Sequence, residues 1–394
     1  MITRRRVVAG SAGALLLAGV GASAFGAEDG ADELIALPGK RPLIKRSFRP
    51  PNYETPLGDL RRQYTANDAF FVRYHLASIP QVDERAWRLR VEGSSIKQPL
   101  ELSLADLKRG FERVELAAIC QCSGNRRGLF TPRAGGVQWT YGAMGNALWG
   151  GVRLRDVLNR AGVNADALEI VLDGADSQVL PATPDFVKSL PIDRALDEHT
   201  LIAFEMNGRP LPHWNGAPAR LVVPGWTATY WIKHLTSIRA EPKAFDGFWM
   251  KSAYRIPTGK FPGARFASQE NAETTPITEI LINSLITSHA DGERLVRGRP
   301  AEVAGWAWDG SSGISTVEIS LDAGRSWRPA QLSEAPGSYS WRGFRTALDT
   351  SKAGPLRIAV RATGRNGARQ PEQLTPNPSG YHHNIIQMLT LEVA

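Results

Sequence analysis

Between residues 256 and 276 the chain changes character, because Pro257, Gly259, Pro262, Gly263 and Pro276 interrupt every periodic pattern. Beyond that break the pattern is one of strands. Val317, Ile319 and Leu321 alternate with Glu318 and Ser320, and Asp322-Ala323-Gly324 follows as a turn. Leu356, Ile358, Val360 and Ala362 alternate around Arg357 and Arg361, and Asn366-Gly367 is a hairpin signal. Two-residue alternation marks strands with one buried face. Strands at short intervals with turn punctuation predict an immunoglobulin-like β-sandwich, with Trp306, Trp308, Trp327 and Trp341 as candidates for its core.

Ahead of the break, strands mix with short helices and long loops in no βα repeat, which predicts a mixed α+β domain. Phe70 to His75 reads as a short strand with Phe71, Arg73 and His75 on one face. Trp87, Leu89 and Val91 alternate with Arg88 and Arg90. Ser103 to Asp106 opens a helix with a capping box, and Arg153 to Ala161 forms another, closed by Gly162. Strands are also expected at Leu168–Leu172 and Ala219–Gly225. A length of 394 residues suits two such domains. The expected divisions are a leader over 1–27, an extended arm over 28–66, an α+β domain over 67–265 and the sandwich over 266–394. In the arm, Pro38, Pro42, Pro50, Pro51 and Pro56 are expected to block regular structure.

The leader has a basic start, Thr3-Arg4-Arg5-Arg6-Val7-Val8, of twin-arginine type. An apolar stretch from Ala9 to Ala24, broken by glycine, ends in Ala22-Ser23-Ala24, an A-x-A cleavage site. The stretch suits cleavage better than anchoring. The expected product is soluble and periplasmic, exported folded by a route suited to cofactors loaded beforehand. The formal net charge of +8 falls by three when Arg4, Arg5 and Arg6 leave. The remaining positive balance steers anions or acidic proteins, and no basic stripe with interleaved aromatics points to nucleic acid.

The chemistry concentrates at Cys120-Gln121-Cys122-Ser123-Gly124-Asn125-Arg126-Arg127, which holds both cysteines of the chain. A thiolate is a soft metal ligand, and neighbouring guanidiniums suit an oxyanion. On a strand the two Cα atoms would lie about 6.6 Å apart, near the outer limit for a disulfide. Two thiols so placed in an exported chain point to a working thiolate instead.

The run from Cys122 to Arg127 resembles the Cys-small-Gly-Asn-Arg-Arg signature of the sulfite oxidase family, molybdenum enzymes that hold the metal by one pterin dithiolene and one cysteine. Phe71 to His75 is similar to the family's Arg-x-His strand, Trp139 with Gly142-Ala143-Met144 to its Trp-x-x-Gly-Ala segment, and Gly208 to Gly225 with Lys233 to its pterin loop. Lys251-Ser252-Ala253-Tyr254 resembles its Lys-Ser-x-Tyr. Gly305-Trp306-Ala307-Trp308, Ser320-Leu321-Asp322, Trp327 and Trp341-Arg342 resemble its dimerisation domain. The resemblance covers roughly residues 45–394.

It implies Cys122 as the molybdenum ligand. Arg73, Arg127 and Arg342 would form the oxyanion pocket, lined by Tyr254 and Trp139. His75, Asp176, Arg220 and Lys233 would hold the pterin and its phosphate. Asn215 stands where animal relatives have a histidine. Cys120 has no implied catalytic part and is expected to pack. The implied activity is oxidation of sulfite to sulfate, with single electrons passed to a c-type cytochrome, either a haem subunit or a transient acceptor. The chain has no C-x-x-C-H site for haem of its own. The C-terminal domain implies a homodimer, or a face for a haem subunit. Two other readings compete: a periplasmic relative reducing sulfoxide or nitrate, and a non-enzymatic sandwich protein with a degenerate site. Arg73, Arg127, Arg342 and Tyr254 occurring together favour an anionic substrate.

Overall fold

The strand that runs into the cysteine pair, Val114–Gln121, pairs antiparallel along its whole length with Met144–Arg153. A computed structural model describes residues 32–263 and 265–394; the leader expected over 1–27 lies outside the described residues. Both strands are apolar on both faces because the sheet is covered on both sides. Leu201–Met206 continues the sheet and carries both Arg209–Pro210 and Arg220–Val222. Gly145 faces Cys120 in register, and a Cβ there would lie 2.5 Å from the Phe70 ring. The glycine lets an aromatic ring lie flat against the strand that carries the thiols.

A second sheet has the spatial order Lys188–Pro191, Glu169–Gly174, Leu235–Glu241, Leu89–Glu92, Leu100–Leu102. Its alternation is as expected: Trp87, Leu89 and Val91 are buried while Arg88 and Arg90 are exposed. Two short helices pack between elements. Leu104–Gly110 starts at a capping box in which Ser103 and Asp106 bond each other's backbone N–H. Leu154–Ala161 buries Leu154, Val157, Leu158 and Ala161 and ends at Gly162, φ +70°.

From residue 32, where the described chain begins, the arm differs from expectation. Leu34–Ala36, Pro42–Ser47 and Asn52–Glu54 form a four-stranded antiparallel sheet with Val72–Arg73. Pro42 opens its strand, where a missing N–H costs little, and Pro50 and Pro51 sit in the turn between the next two strands.

The C-terminal region is a two-sheet sandwich. Asn283–Ile286, Ala301–Trp308, Arg342–Leu348 and Gln331–Leu332 form one sheet. Arg294–Leu295, Gln387–Val393, Gly354–Gly364, Ile314–Ser320 and Arg328–Pro329 form the other. Ile286, Val303, Ile319, Phe344, Ile358, Val360 and Leu391 fill the space between them.

The tryptophans do not. Trp308 and Trp341 pack with Leu60, Ile119, Met144, Ile280 and Leu285, and Trp306 stacks on Trp341. They fill the junction between the sandwich and the α+β region, where an indole keeps both a large apolar area and a partner for its N–H. Trp308 Nε1 donates to Gln121 Oε1 at 2.9 Å, and Trp341 Nε1 donates to the Gln63 carbonyl at 2.7 Å. Trp327 instead lies under the Arg361 guanidinium at 3.9 Å. At the same junction Ile119 N donates to the Tyr339 carbonyl at 3.0 Å. The sandwich thereby covers the otherwise unpaired edge of the thiol-bearing strand. Among the described residues, no helix is long and apolar enough to cross a membrane.

Candidate active site

Three walls enclose a cavity. The first is the end of the Val114–Gln121 strand, which delivers Cys120, Cys122 and Ser123. The second is the strand around Val72–Arg73, which delivers Phe71, Arg73 and His75. The third runs from Trp214 to Lys233 and adds Asn215, Arg220, Thr229 and Trp231. Asp176, Phe186 and Tyr254 complete the lining.

The thiols are free and buried. Cys122 leaves the strand in a tight turn: its N–H donates to the Ala143 carbonyl at 2.9 Å, and its carbonyl accepts from Asn125 N at 2.9 Å. Asn125 Oδ1 accepts from Ala143 N at 3.1 Å and braces the turn. Cys120, expected to be packing alone, also reaches the cavity, with Arg220 Nη2 at 3.8 Å from its Sγ. Burial raises its thiol pKa to about 11, against the pull of Arg220, so Cys120 stays protonated.

At the deep end, the Arg220 guanidinium is buried against Trp149 and Trp231 and donates to the Asn215 and Trp231 carbonyls at 3.0 and 3.1 Å. Lys233 donates to the Arg73 carbonyl at 2.7 Å and lies over the Tyr74 ring. Burial and Arg220 pull its ammonium well below the usual lysine range, and Asp176 opposes them. Burial raises Asp176 to about 6, with Lys233 pulling it down. The neighbouring Asp173 is raised to about 7 by burial and then by Asp185.

Among the described residues, three buried polar atoms on the cavity lining have no partner: Ser123 Oγ, Thr229 Oγ1 and Arg220 Nε. An unpaired buried polar group costs about 1–3 kcal/mol. Together with a thiolate donor and cationic side chains, these atoms fit a polar, anionic group that also binds sulfur, as a molybdenum pterin phosphate is.

Tyr254 marks the mouth. Its backbone is in the left-handed region, φ +58°, uncommon for a bulky residue and concentrated at functional sites. Arg73 Nη2 donates to its hydroxyl at 3.4 Å, and His75 Nε2 shares a short hydrogen bond with the same oxygen. His75 stacks on Phe186 with ring centres 3.4 Å apart. Burial, then Arg73, Lys233 and Lys188, hold its pKa well below the usual value, so the imidazole is neutral. Burial raises the Tyr254 pKa, against Arg73.

Three residues expected at this mouth do not line the cavity. Arg127 turns away: its Nε donates to the Ser379 carbonyl at 2.8 Å, and its guanidinium lies 5.1 Å over the Tyr381 ring. Gly124 makes room for it, since a Cβ there would sit 2.5 Å from Arg127 Nη1. Arg342 belongs to the sandwich, where it donates to the Ser333 and Ile314 carbonyls at 2.8 and 3.0 Å. Trp139 is fully buried beside the turn, and its carbonyl accepts from Gly128 N at 2.9 Å. Arg126, which carried no expectation, crosses to the sandwich and donates to the Ser284 carbonyl at 2.6 Å.

Tyr381, likewise outside the lining, stacks on Tyr254 at 5.7 Å and 16°. Buried His382 and His383 follow it. The sequence carried a signal in this Tyr-His-His run, since the whole chain has only seven histidines. Phe186 and Lys40 carried none.

The family pattern described as oxidoreductase molybdopterin binding domain matches residues 75–249, and the Mo-co oxidoreductase dimerisation domain matches 274–392. Mitochondrial sulfite oxidase of Homo sapiens is 36% identical over 304 residues, 75% of this chain and 54% of that protein. Sulfite oxidase of Gallus gallus is 31% identical over 364 residues, covering 89% and 78%. The chain thus spans about half the length of the human relative and over three quarters of the avian one. The crystal structure of the sulfane dehydrogenase SoxCD from Paracoccus pantotrophus superposes with a TM-score of 0.73 at 26% identity, over 89% of this chain and 88% of that one.

Proposed function

The chain belongs to the sulfite oxidase family, and from that premise we propose that it oxidises sulfite to sulfate at a molybdenum centre held by one pterin and Cys122. The catalytic domain in this reading spans 67–265 and the sandwich 266–394. Export by the twin-arginine route places the enzyme in the periplasm, and single electrons pass to a c-type cytochrome. The observation that carries the reading is the cavity itself: a free Cys122 thiol faces a wall with unpartnered Ser123, Thr229 and Arg220 atoms.

When bound, the molybdenum group supplies oxygen-atom transfer and takes up two electrons, which no side chain can do. The overall change is sulfite plus water to sulfate, two protons and two electrons. The protein's part is to hold and orient. Arg220 faces the pterin end as a cation, and Lys233 adds an Nζ donor beside the Ser123 and Thr229 hydroxyls. Arg73 neutralises a sulfite oxygen at the mouth. Tyr254 holds its proton between the cavity and His75 Nε2, and a neutral imidazole there is able to accept it. Phe186 and Tyr381 close the mouth with apolar rings and strengthen these contacts by excluding water.

A second reading is favoured by one observation: Arg127 and Arg342 stay out of the cavity, and a tyrosine covers Tyr254. A mouth with one arginine suits a reacting sulfur that carries no oxygens of its own, such as the sulfane sulfur named for SoxCD.

The test is steady-state oxidation by protein purified from the periplasm of a molybdenum-replete host, with ferricyanide and then a c-type cytochrome as acceptor. Sulfite and thiosulfate (a carrier of sulfane sulfur) are compared. Sulfite turnover with molybdenum near one per chain is expected. Thiosulfate turnover without sulfite turnover replaces the first reading by the second. Folded protein that is active without molybdenum overturns both.

A further inference from the structure

Ahead of residue 75, where the molybdopterin-binding match begins, the chain reaches into the deep end of the cavity wall. Lys40, 6% exposed, donates to the Asn67 carbonyl at 2.6 Å, the Phe70 carbonyl at 3.0 Å and Asn215 Oδ1 at 2.7 Å. Burial lowers its pKa to about 7, and three oxygens within hydrogen-bond reach favour the ammonium form, which has three protons and no acceptor. The neighbouring Pro38 carbonyl accepts from Trp214 Nε1 at 2.9 Å. Residues 38–40 therefore hold Trp214 and Asn215 side by side, and both line the cavity.

The consequence falls on the Asn215 amide. Its carbonyl oxygen is committed to Lys40, because a lysine only donates. Its backbone carbonyl is committed to Arg220. The Nδ2 end makes no hydrogen bond within the described residues and is the half of the amide left for the cavity.

We propose that Lys40 is a cofactor-positioning residue: it fixes the Asn215 amide so that an N–H donor faces the cavity. The deep end is thereby selective for a ligand that presents a hydrogen-bond acceptor at that point. This rests on the molybdopterin reading above, in which the acceptor is an oxygen or ring nitrogen of the pterin or its phosphate. Asn215 turns its donor to the cavity because a lysine from the N-terminal sheet holds the oxygen end of the amide.

The experiment compares Lys40→Met, Lys40→Arg and Asn215→Asp with the wild type as purified holoenzyme. Molybdenum and pterin per chain are measured, with the rate at which bound pterin is released on warming, and the melting temperature as a control for folding. Lys40→Met and Asn215→Asp are expected to release pterin about tenfold faster, as when a supporting partner of a metal-site ligand is lost. Lys40→Arg is expected to recover most of the retention by keeping a cationic donor. Asn215→Asp keeps an oxygen for Lys40 but loses the donor, so it decides the question even where Lys40→Met fails to fold. Wild-type retention in a folded Asn215→Asp or Lys40→Met overturns the proposal. Wild-type protein that is folded yet carries no pterin overturns the molybdopterin reading itself, a separate outcome.

Discussion

At the deep end of the cavity Asp176, Arg220 and Lys233 line the wall with Asn215, while His75, expected to hold the pterin with them, hydrogen-bonds Tyr254 at the mouth. At the mouth, Arg73 and Tyr254 reach the cavity but Arg127, Arg342 and Trp139 do not. The two halves are built differently. Asn215, Arg220 and Lys233 come from one continuous loop and strand, whose own pairing with Leu201–Met206 fixes where they point. The mouth joins Arg73, Tyr254 and Tyr381, which are far apart in the chain and meet through aromatic stacking. A local motif carries its own geometry; a site assembled from distant segments does not.

The sharpest way to break this contrast is at its firmest point. Replacing Arg220 by Met removes the cation and leaves the Asn215 and Trp231 carbonyls without their donor. Molybdenum content is expected to fall at least about tenfold, and stability by about 2–4 kcal/mol, the usual cost of stripping a buried charged network. Metal analysis and denaturant melts check both. Full loading in Arg220→Met would mean that the deep end is no better determined than the mouth.

At the mouth the expected effects differ between residues that sequence alone treats alike. Arg73→Met is expected to raise the apparent KM for sulfite about 10- to 100-fold, since a hydrogen bond to a charged group contributes about 1.5–3 kcal/mol. Arg342→Met is expected to leave KM within about twofold, because its guanidinium serves sandwich carbonyls. Equal effects from the two substitutions would restore the three-arginine pocket and count against the arrangement described above.

The same divide explains what was legible in the sequence. The sandwich strands, the capping box at Ser103 and the helix stop at Gly162 follow from periodicity and backbone chemistry within a few residues. The cavity position of Cys122 follows from a strand and a turn. Trp306, Trp308 and Trp341 were legible as buried but not as junction residues, because burial does not say against what. Lys40 sits among prolines with no periodic pattern, and only the folded sheet shows that it reaches Asn215. Arg126 and Arg127 are adjacent and of one type, yet one serves Ser284 and the other Ser379. The left-handed backbone at Arg126, φ +68°, separates their directions, and no composition rule foresees it.

The smallest effect tests the two halves by sign. Burial raises Asp173 from 3.8 to about 7, so the folded state binds a proton that the unfolded chain has lost between those values. Its contribution therefore weakens stability as pH rises through that window. Beside the mouth, burial lowers His382 from 6.5 to about 3 and His383 to about 4. There the unfolded chain binds the extra protons, so stability is lost as pH falls below about 6.5. The two contributions oppose each other across pH 4 to 7. Asp173→Asn holds the neutral form at every pH, and its advantage over wild type is expected to grow with pH. By pH 7.5 it should reach on the order of 1 kcal/mol, after discounting for the water that reaches a partly solvated carboxylate. His382→Gln removes the opposite dependence, and its relative stability is expected to improve as pH falls. Urea melts of cofactor-free protein at pH 4.5, 6 and 7.5 read both slopes. Slopes of the same sign would show that the acids at the deep end and the histidines at the mouth do not experience burial as separate environments.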